Sequence, residues 1–312
     1  MRLDKYLTDK LNFSRNQIAN LIKNGNVTVN NKAVTKPSFK VSEEDKIEYN
    51  IQTFEDKKEY KVDFDVDIIY EDDDILVINK PSGLVVHSAP SVKEATLVDW
   101  LKSKNITLST ISGEERHGIV HRIDKETTGA LVIAKNNESH QILSEQLQDK
   151  SMGRYYLAII DLPLKENIEI DRPIGRNPKN RLKQAIIPSG RNAKTQFLKL
   201  CGEKEELIAA KLFTGRTHQI RVHLNSINRH IIGDELYGAK KSDERIMLHA
   251  YILYLIHPKT KEKMIFEAPI FDDMKEKINL ICGGKYEINK QDIIKRFSNV
   301  IDYRMCKSTY KK

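Results

Sequence analysis

A mostly polar stretch at residues 121–129, His-Arg-Ile-Asp-Lys-Glu-Thr-Thr-Gly, separates two short apolar runs. Ile119 and Val120 precede it, and Ala-Leu-Val-Ile-Ala follows at residues 130–134. Apolar runs on both sides of a polar segment that ends in glycine predict a strand, a tight loop and a second strand. A loop held by two buried strands is a rigid support for a functional group. Asp124 is therefore a candidate catalytic carboxylate, and Arg122 lies close enough in sequence to affect its electrostatics.

An aspartate in such a loop also has a simpler explanation. Its side chain can cap the turn by accepting hydrogen bonds from nearby backbone amides, which is a common role of aspartate in turns. The nine residues alone favour this structural role. The catalytic interpretation of Asp124 therefore depends on the motifs that accompany it.

Size and composition limit the class of protein. The 312 residues suffice for one full-sized domain and a small one. No stretch approaches the roughly 18 apolar residues of a membrane span, and the charged N-terminus lacks the apolar segment of a signal peptide. We therefore expect a soluble, cytoplasmic protein without membrane association. Three scattered cysteines cannot all pair and show no C-x-x-C spacing, which argues against a disulfide scaffold and a zinc site and fits a reducing cytoplasm: Cys201, Cys282 and Cys306.

Charge is distributed unevenly along the chain. The net charge of +8 and the isoelectric point near 9.1 suggest a polyanionic partner. Residues 1–40 carry a net charge of +6 and residues 171–199 one of +7, whereas residues 51–79 carry −7. This distribution suggests two phosphate-facing surfaces with a repelling segment between them. A solvated acidic linker explains the middle segment equally well.

Residues 1–50 have the pattern of a small module. Apolar residues at helical spacing predict a first helix over residues 3–7. A second helix follows Ser14, its predicted N-cap, and ends at Gly25. Residues 27–34, with two central asparagines, predict a β-hairpin.

Four basic residues lie along these helices and are the candidate contacts of the module with a polyanion, which is RNA if the resemblance below holds: Arg2, Lys5, Arg15 and Lys23. Solvated helix faces are the alternative. The motifs R-L-D-K-Y-L at 2–7, S-R-N-Q-I at 14–18 and L-I-K-N-G-N-V-T-V-N at 21–30 resemble the alpha-L RNA-binding module first described in a small-subunit ribosomal protein. The resemblance implies a small α+β RNA-binding domain, which we expect to span residues 1–60.

The rest of the chain alternates predicted strands with a few helices. Strands are predicted at residues 75–78, 155–160, 194–200, 207–213, 246–256 and 263–268. A helix is predicted to about Lys150 with Asn137 as its cap, and another after Thr214. Arg221 lies at the border of the buried stripe of that second helix and requires a partner, because an unpaired buried charge is costly. The basic segment 172–183, rich in proline and asparagine, predicts an irregular loop.

Two groups of residues suggest a metal but have simpler explanations. Asp72, Asp73 and Asp74 precede a strand, and because three consecutive side chains diverge, a solvated turn is expected. His218 and His223 are five residues apart, so on a helix they point in different directions, and no H-E-x-x-H motif occurs. H-R-I-D also differs from the protein-kinase loop, which requires H-R-D, a following Asn and a D-F-G segment. No metal site is predicted.

Three motifs follow one another along the chain: H-R-I-D-K-E-T-T-G at 121–129, R-Y-Y-L-A at 154–158 and G-R-T-H-Q-I-R-V-H at 215–223. Together they resemble the RluA/RluD-type pseudouridine synthases of large-subunit ribosomal RNA. The match extends to N-K-P-S-G-L-V-V-H at 79–87, R-P-I-G-R at 172–176 and I-G-D-x-x-Y-G at 232–238. Four positions depart from the family pattern without removing a group that the chemistry requires: Ile123 for Leu, Glu126 for Asp, Thr128 for Ser and Arg154 for Lys.

The resemblance implies a fold and assigns residues. The fold is α+β with a mixed, largely antiparallel β-sheet, in a catalytic domain expected at residues 61–285 before a basic C-terminal extension at 286–312. Asp124 aligns with the catalytic aspartate, Tyr156 with the active-site tyrosine and Arg221 with the arginine that pairs with the aspartate. Base flipping and other RNA contacts are expected from Arg122, His121, Thr128, Arg176, Arg216 and His218.

The chemistry of this family fits these residue types. Pseudouridine formation breaks the bond from ribose to a uracil nitrogen, turns the base and rejoins it through a ring carbon. It needs no redox step, so no cofactor is expected. An ionised Asp124, kept charged by Arg221, can attack the anomeric carbon or stabilise positive charge there. Tyr156 can stack on the uracil and relay the final ring proton, while Arg122 can take the place of a flipped base. A covalent adduct and an elimination path are both compatible with these residues.

Two other functions fit parts of the sequence. An RNA-binding ribosome-assembly factor that has lost activity would share the basic surfaces, but the intact Asp124, Tyr156 and Arg221 argue against it. Transfer RNA is the alternative substrate, because this branch of the family includes both kinds of enzyme. The N-terminal module favours large-subunit ribosomal RNA. We expect the protein to act as a monomer.

Overall fold

The chain contains both helices and strands, which are mixed along the sequence. The computed structural model describes residues 1–11, 13, 15–50, 60–89, 92–112, 116–238, 243–284 and 286–298. The helices are α1 (Leu3–Lys10), α2 (Arg15–Lys23), α3 (Leu97–Ser103), α4 (Asn137–Asp149), α5 (Gln219–Asn225) and α6 (Asp272–Ile281). The strands are β1 (Val27–Val29), β2 (Lys32–Ala33), β3 (Ile47–Tyr49), β4 (Asp67–Glu71), β5 (Ile75–Lys80), β6 (Thr128–Ala134), β7 (Gly153–Ile160), β8 (Ile168–Asp171), β9 (Ile174–Arg176), β10 (Gln184–Ile186), β11 (Lys194–Cys201), β12 (Glu206–Leu212), β13 (Leu248–Ile256) and β14 (Lys263–Glu267). Within the described ranges, no helix has the length and apolar character that crossing a membrane requires.

The N-terminal residues form a small α+β unit. Strand β1 pairs antiparallel with β2 on one side and β3 on the other, and α1 contacts α2. Helix α2 ends where predicted, because Gly25 adopts a φ of +75° and its amide donates to the carbonyl of Ile22. The unit has its own core, in which these side chains are fully buried: Leu3, Leu7, Ile18, Ile22 and Val27.

Three of the four predicted basic contacts of this unit lie on its surface. Lys5 and Lys23 are exposed, and Arg2 is exposed while paired with Asp4 at 2.8 Å. The side chain of Arg15 and the predicted N-cap Ser14 lie outside the described residues. The domain boundary predicted at residue 60 adjoins residues 51–59, which the description also omits, so it stays a prediction.

The large sheet confirms the predicted mixed, largely antiparallel architecture. Its order is β4-β5-β6-β13-β7-β12-β11-β8, and β14 pairs with β13 at the side. Every pairing is antiparallel except that of β6 with β13, which is parallel. Strand β13 therefore lies between β6 and β7 and joins two parts of the sheet that precede it in the chain.

Strands β5, β6 and β7 are buried along their whole length, as their nearly continuous apolar runs indicate. The approach of β13 to β6 depends on Gly129. Its φ is +110°, and a Cβ atom at this position would overlap the backbone of Ala250. Glycine is therefore required where the two parallel strands meet.

Three local predictions differ from the structure. Residues 119–120 form no strand but a single bridge, Ile119 to Ile133, because Gly118 turns the chain directly before them with a φ of +69° and the amide of Ile119 donates to the carbonyl of Arg116. The N-cap of α4 is Asn136, whose side chain accepts a hydrogen bond from the amide of Ser139, and Asn137 is the first helical residue. The segment predicted as an irregular loop contains β9, which pairs antiparallel with β10 to make a hairpin.

The cysteine count argued against a disulfide scaffold, yet two of the three cysteines are bonded to each other. A disulfide joins Cys201 at the end of β11 to Cys282 after α6, with their Cα atoms 5.4 Å apart. The two residues pack beside the same hydrophobic core, although 81 residues separate them in sequence. Spacing along the chain gave no sign of this proximity. Cys306 lies outside the described residues.

The first part of the predicted C-terminal extension packs with the large sheet. Residues 290–298 are helical, and Ile293 and Phe297 are buried in the main core. The ring of Phe297 contacts that of Tyr155, with centroids 5.2 Å apart. Residues 286–298 therefore contribute apolar side chains to the core, whereas residues 299–312 are outside the description.

Candidate active site

A cleft of about 330 Å³ lies between the loop before β6, strand β7 and the segment leading into α5. Its volume is within the range of small-ligand sites, roughly 300–1,000 Å³. The cleft brings together seven of the predicted site residues: His121, Arg122, Asp124, Tyr156, Arg216, His218 and Arg221. Thr128 and Arg176 are not part of its lining.

The carboxylate of Asp124 faces this cleft and is 21% exposed. The turn that follows it is closed by the backbone, since the amide of Thr127 donates to the carbonyl of Asp124 at 3.1 Å. Among the described residues, the carboxylate has one ion pair, with Arg221 Nη1 at 3.7 Å, and accepts no hydrogen bond. Because the side chain does not cap the turn, the structural explanation for this aspartate loses its basis.

The turn after Asp124 is held in place by Lys80, a residue that the sequence did not single out. The Lys80 side chain is fully buried, and its Nζ donates to the carbonyls of Pro81, Leu84 and Lys125 at 2.7, 2.9 and 2.8 Å. Burial lowers the pKa of Lys80 to about 7, against the opposing effect of nearby carboxylates. Lys80 belongs to the N-K-P-S-G motif, and this motif was the sequence pattern that could have identified Lys80 as a functional residue.

Arg221 is bound mainly to a second aspartate. Its Nε and Nη2 donate to the two carboxylate oxygens of Asp234 at 2.7 Å each, and Asp234 is 1% exposed. The guanidinium also lies over the ring of Tyr237, 5.0 Å from its centroid. Burial disfavours the charge of Arg221, but Asp234 more than offsets this, so the pKa of Arg221 is raised. Arg221 also forms the ion pair with Asp124 that the resemblance implies, at 3.7 Å, and Asp234 is a second, nearer partner that the sequence did not indicate.

Tyr156 forms part of the cleft wall and is 4% exposed. Its neighbours across β7 are Ala210 on β12 and Ala250 on β13, two small residues that leave space beside its ring. Burial raises the pKa of Tyr156; Arg154 opposes this shift and Asp124 adds to it. The phenol is therefore neutral near neutral pH. Tyr155 packs on Phe297 and lies outside the cleft lining.

His121 supports the cleft from within its wall. Arg154 Nη1 donates to His121 Nδ1 at 2.8 Å. Burial and the charge of Arg154 hold the pKa of His121 well below its usual value, so the imidazole is neutral. With 9% exposure, His121 offers little surface to RNA. Arg154, one of the departures from the family pattern, also lines the cleft.

Three predicted RNA contacts lie around the opening. Arg122 is exposed, with Nη1 3.5 Å from Nε2 of His87. Arg216 is half-buried and donates from Nε to the carbonyl of Asn192 at 2.9 Å. His218 contacts Tyr237 Oη through Nδ1 at 2.9 Å.

Two other predicted contacts lie away from the cleft. Thr128 is 1% exposed and its hydroxyl lies 2.8 Å from His249 Nδ1 inside the sheet, so its predicted contact with RNA is not possible in this structure. Arg176 is exposed on β9, beyond the cleft lining. Neither position could be judged from a motif, because burial and distance depend on the packing of separate strands.

The acidic turn before β5 is joined by a histidine. Potential ligand atoms of Asp72, Asp74 and His257 lie within 4.8 Å of one another. The oxygens of Asp72 are already engaged, since they accept hydrogen bonds from the amides of Asp74 and Ile75 and from Tyr70 Oη. The expected role of Asp72 in a turn therefore accounts for this group, with His257 as an unpredicted partner at 2.8 Å.

The arrangement in the cleft suits chemistry at a sugar carbon. A partly accessible carboxylate has a guanidinium beside it, and within the described part of the chain it accepts no hydrogen bond that would reduce its nucleophilicity. A neutral phenol lies in the wall, and cationic side chains surround the opening. Sequence reasoning found the carboxylate, the phenol and the guanidinium. It missed Asp234, although that residue lies in the I-G-D-x-x-Y-G motif.

Comparisons with known proteins show the family. The family model described as RNA pseudouridylate synthase matches residues 74–226, and that of the S4 domain matches residues 1–47. An "Uncharacterized RNA pseudouridine synthase" of Helicobacter pylori (strain J99) is 48% identical over 288 residues, which cover 88% of each chain. A "Ribosomal large subunit pseudouridine synthase D" of Zymomonas mobilis is 37% identical and covers 88% of this chain and 92% of its own.

A solved structure has a similar fold. Human RNA Pseudouridylate Synthase Domain Containing 1 superposes with a TM-score of 0.60 at 22% identity. The superposition covers 74% of this chain and 94% of the human one. At this identity the likeness concerns the fold, and it confirms the predicted sheet architecture.

Proposed function

This chain belongs to the RNA pseudouridine synthase family, whose members are isomerases acting on RNA, and we propose that its substrate is large-subunit ribosomal RNA with Asp124 as the catalytic group. Relatives from Zymomonas mobilis and Vibrio vulnificus named ribosomal large subunit pseudouridine synthase D are 37% and 36% identical to it, and each match covers 88% of the chain. The S4 domain at residues 1–47 supports a structured RNA as the target.

The observation that carries the proposal is the setting of Asp124. Its carboxylate is 21% exposed in a cleft of nucleotide size and has Arg221 as its ion-pair partner. Tyr156 lies in the same cleft. A purely structural aspartate would have its oxygens satisfied by the turn, whereas this one leaves them directed at the space where a base would enter.

The proposed reaction uses these groups in sequence. The ionised Asp124 attacks the anomeric carbon of the flipped uridine, or stabilises the positive charge that develops there, as the bond to the uracil nitrogen breaks and leaves its electron pair on the base. The base turns, and its ring carbon bonds to the anomeric carbon; where Asp124 had formed a covalent adduct, its bond to that carbon breaks and the carboxylate leaves with the electron pair. The proton on that ring carbon then leaves, and Tyr156 relays it towards solvent or to the ring nitrogen.

Access to the uridine requires base flipping. A uracil stacked inside a helix cannot reach the carboxylate, so the nucleotide must leave its stack. Arg122 is exposed and forms part of the cleft lining, which suits a side chain that fills the vacated space. We assign Arg216 and His218 to contacts with the sugar or phosphates of the same strand, because both lie at the cleft.

The proposal also covers the kind of RNA, the oligomeric state and the cellular location. The S4 domain and the named relatives favour large-subunit ribosomal RNA over transfer RNA. We also propose that the protein acts as a monomer in the cytoplasm, where such RNA is matured in the bacteria that hold these relatives. Sedimentation of the free protein tests the first point, and cell fractionation the second.

The deciding experiment compares wild type with Asp124→Asn on deproteinised large-subunit ribosomal RNA and on transfer RNA, with pseudouridine mapped by chemical modification and primer extension. Asp149→Asn is the matched control, because this aspartate lies at the end of α4, exposed and outside the cleft lining. We expect pseudouridine in ribosomal RNA from wild type and the control, and none from Asp124→Asn, which should still bind RNA. If wild type modifies no RNA, a binding factor replaces the enzyme as the best interpretation. If it modifies only transfer RNA, the substrate is wrong.

A further inference from the structure

A basic hairpin packs against α5, the helix that carries Arg221. Strands β9 and β10 pair antiparallel from Ile174–Arg176 to Gln184–Ile186, and the loop between them spans residues 177–183. Residues 172–191 contain six basic side chains and no acidic one: Arg172, Arg176, Lys179, Arg181, Lys183 and Arg191. In the described part of the chain, no ion pair involves any of the six. Unneutralised cations at this density fit a phosphate backbone.

An exposed leucine lies at the tip of this hairpin. Leu182 is 77% exposed and stands between Arg181 and Lys183. A single exposed leucine is ordinary on a protein surface. Leu182 differs because basic residues without ion-pair partners surround it on the hairpin. If these residues bind a polyanion, Leu182 comes into contact with it.

The loop holds Leu182 in a fixed position. The side chain of Asn180 accepts a hydrogen bond from the amide of Leu182 at 3.0 Å. The side chain of Asn177 accepts from the amides of Lys179 and Asn180 at 2.9 and 3.1 Å, and its own amide donates to the carbonyl of Lys183. A pre-ordered tip loses little conformational entropy on binding, which favours insertion over loose contact.

The base of the hairpin is attached to the candidate active site. The amide of Gln184 donates to Tyr237 Oη at 2.7 Å, and the same oxygen contacts His218 Nδ1 at 2.9 Å. Ile174 packs in one cluster with Tyr237 and with Val222 of α5. The distance from the tip to Asp124 is therefore set by the fold.

Basic side chains connect the cleft with the hairpin. Arg216, part of the cleft lining, donates to the carbonyl of Asn192, just after the hairpin. Burial lowers the pKa of Arg216 and the charge of Arg191 lowers it further, which indicates that the two guanidinium groups are close. Arg216 and Arg191 thus place positive charge between the cleft and the hairpin.

We propose that this hairpin is an RNA-engaging arm: its cations bind the phosphates of the strand next to the target uridine, and Leu182 inserts between bases as a wedge. Apolar wedges of this kind open base steps in nucleic acids, and flipped or unstacked bases are the features that proteins read in RNA. The arm would keep the region beside the uridine open while the cleft holds the flipped base. The inference rests on the proposed function, since it presumes a target uridine in RNA.

The test measures RNA binding and turnover separately in the full-length protein. The probe is a deproteinised, end-labelled large-subunit ribosomal RNA fragment, and the dissociation constant is measured over a range of salt concentrations. Leu182→Ala is compared with Leu280→Ala, which truncates a leucine of the same 77% exposure on α6. The triple variant Arg176→Gln/Lys179→Gln/Arg181→Gln is compared with Lys102→Gln on α3, an exposed lysine outside the cleft lining.

We expect Leu182→Ala to weaken binding about tenfold, in the range of a lost base contact, with an unchanged salt slope. Leu182→Phe should restore binding, because a ring fills the same gap. The triple variant should lower the slope of log affinity against log salt by about 2, at about 0.7 per lost single-strand phosphate contact. Both controls should match wild type.

The outcomes separate the two proposals. If Leu182→Ala and the triple variant bind RNA like their controls, the arm is wrong even when pseudouridine forms normally, and the cations then serve another partner. If the variants weaken binding as expected but wild type forms no pseudouridine on any RNA, the arm stands and the proposed enzymatic function fails.

Discussion

Arg221 donates two hydrogen bonds of 2.7 Å to the buried carboxylate of Asp234. Two oxygens of one aspartate thus fix the plane of the guanidinium, and its remaining nitrogen, Nη1, lies 3.7 Å from Asp124. Asp234 acts as the structural anion, so Asp124 receives the field of the cation without a direct hydrogen bond. Among the described residues, no hydrogen-bond donor occupies the carboxylate oxygens of Asp124, so their lone pairs are available to the substrate.

Asp234→Asn should therefore impair catalysis through Arg221. Loss of one charge leaves a buried guanidinium poorly compensated, which typically costs about 3–5 kcal/mol of stability. We expect single-turnover rates to fall about 100-fold, since small misplacements of positioning groups have effects of this size, while the affinity for RNA changes little. Asp273→Asn is the control, because it breaks a similar Arg–Asp pair, with Arg245, on the surface. Equal effects of the two substitutions would contradict the positioning role.

Tyr156→Phe should separate stacking from proton transfer. The ring remains in the cleft wall but the hydroxyl is lost, so RNA affinity should be retained while turnover falls by about 10²–10⁴, the usual contribution of a general acid or base. Tyr155→Phe alters the neighbouring phenol, which lies outside the cleft lining, and should leave turnover unchanged. Rapid-quench measurement of pseudouridine checks both. Normal turnover by Tyr156→Phe would limit the role of this residue to packing against the base.

Lys80→Met should change how stability depends on pH. Lys80 has a pKa near 10.4 in the unfolded chain but about 7 in the folded protein. Below about pH 7 both states hold the proton, and the folded protein carries the full cost of a buried ammonium. Between about pH 7 and pH 10 only the unfolded state holds it, so the stability contributed by this position rises with pH.

The Lys80→Met variant lacks this titrating group. Between about pH 7 and pH 10, the free energy of unfolding of wild type should therefore rise relative to that of the variant by up to about 1.4 kcal/mol per pH unit. Urea unfolding of both proteins from about pH 6 to pH 9 measures the difference. A constant difference would show that the three carbonyl acceptors keep the ammonium charged throughout.

Gly129→Ala should destabilise the large sheet severely. A Cβ atom would overlap the backbone of Ala250, and the φ of +110° is unfavourable for alanine. We expect a loss of more than about 4 kcal/mol in the free energy of unfolding, the range of severe steric conflicts. Gly25→Ala is the control, because φ is +75° there but no atom lies within 4 Å, so about 1 kcal/mol should be lost. Similar losses in thermal or urea unfolding would mean that β6 and β13 adjust easily.

Deletion of residues 1–60 should weaken RNA binding and reduce its salt dependence, because the exposed Lys5 and Lys23 are removed with the module. Each lost phosphate contact lowers the slope of log affinity against log salt by about 0.7–0.9. Circular dichroism should show that the rest remains folded. An unchanged slope would exclude this module from the RNA interface.

Motifs and apolar patterns predicted much of this protein because they concern residues close in sequence. Asp124, Tyr156 and Arg221 each lie in a recognisable stretch, and the structure brings them into one cleft. Contacts between residues far apart in sequence were harder to predict. Lys80 contacts the carbonyl of Lys125, 45 residues away, and nothing local indicates that this ammonium is buried. The residues before His121 resemble a strand in their apolar character, but the turn at Gly118, with a φ of +69°, directly precedes them and they form a single bridge.

Strand β13 lies between β6, which follows the Asp124 loop, and β7, which carries Tyr156. During synthesis both of these earlier segments leave the ribosome before residues 248–256 exist to join them. A nascent chain that ends before Leu248 would thus hold every group assigned to the chemistry yet lack the piece that aligns them. Activity should appear late in translation and in a single step, so that shorter products cannot act on RNA.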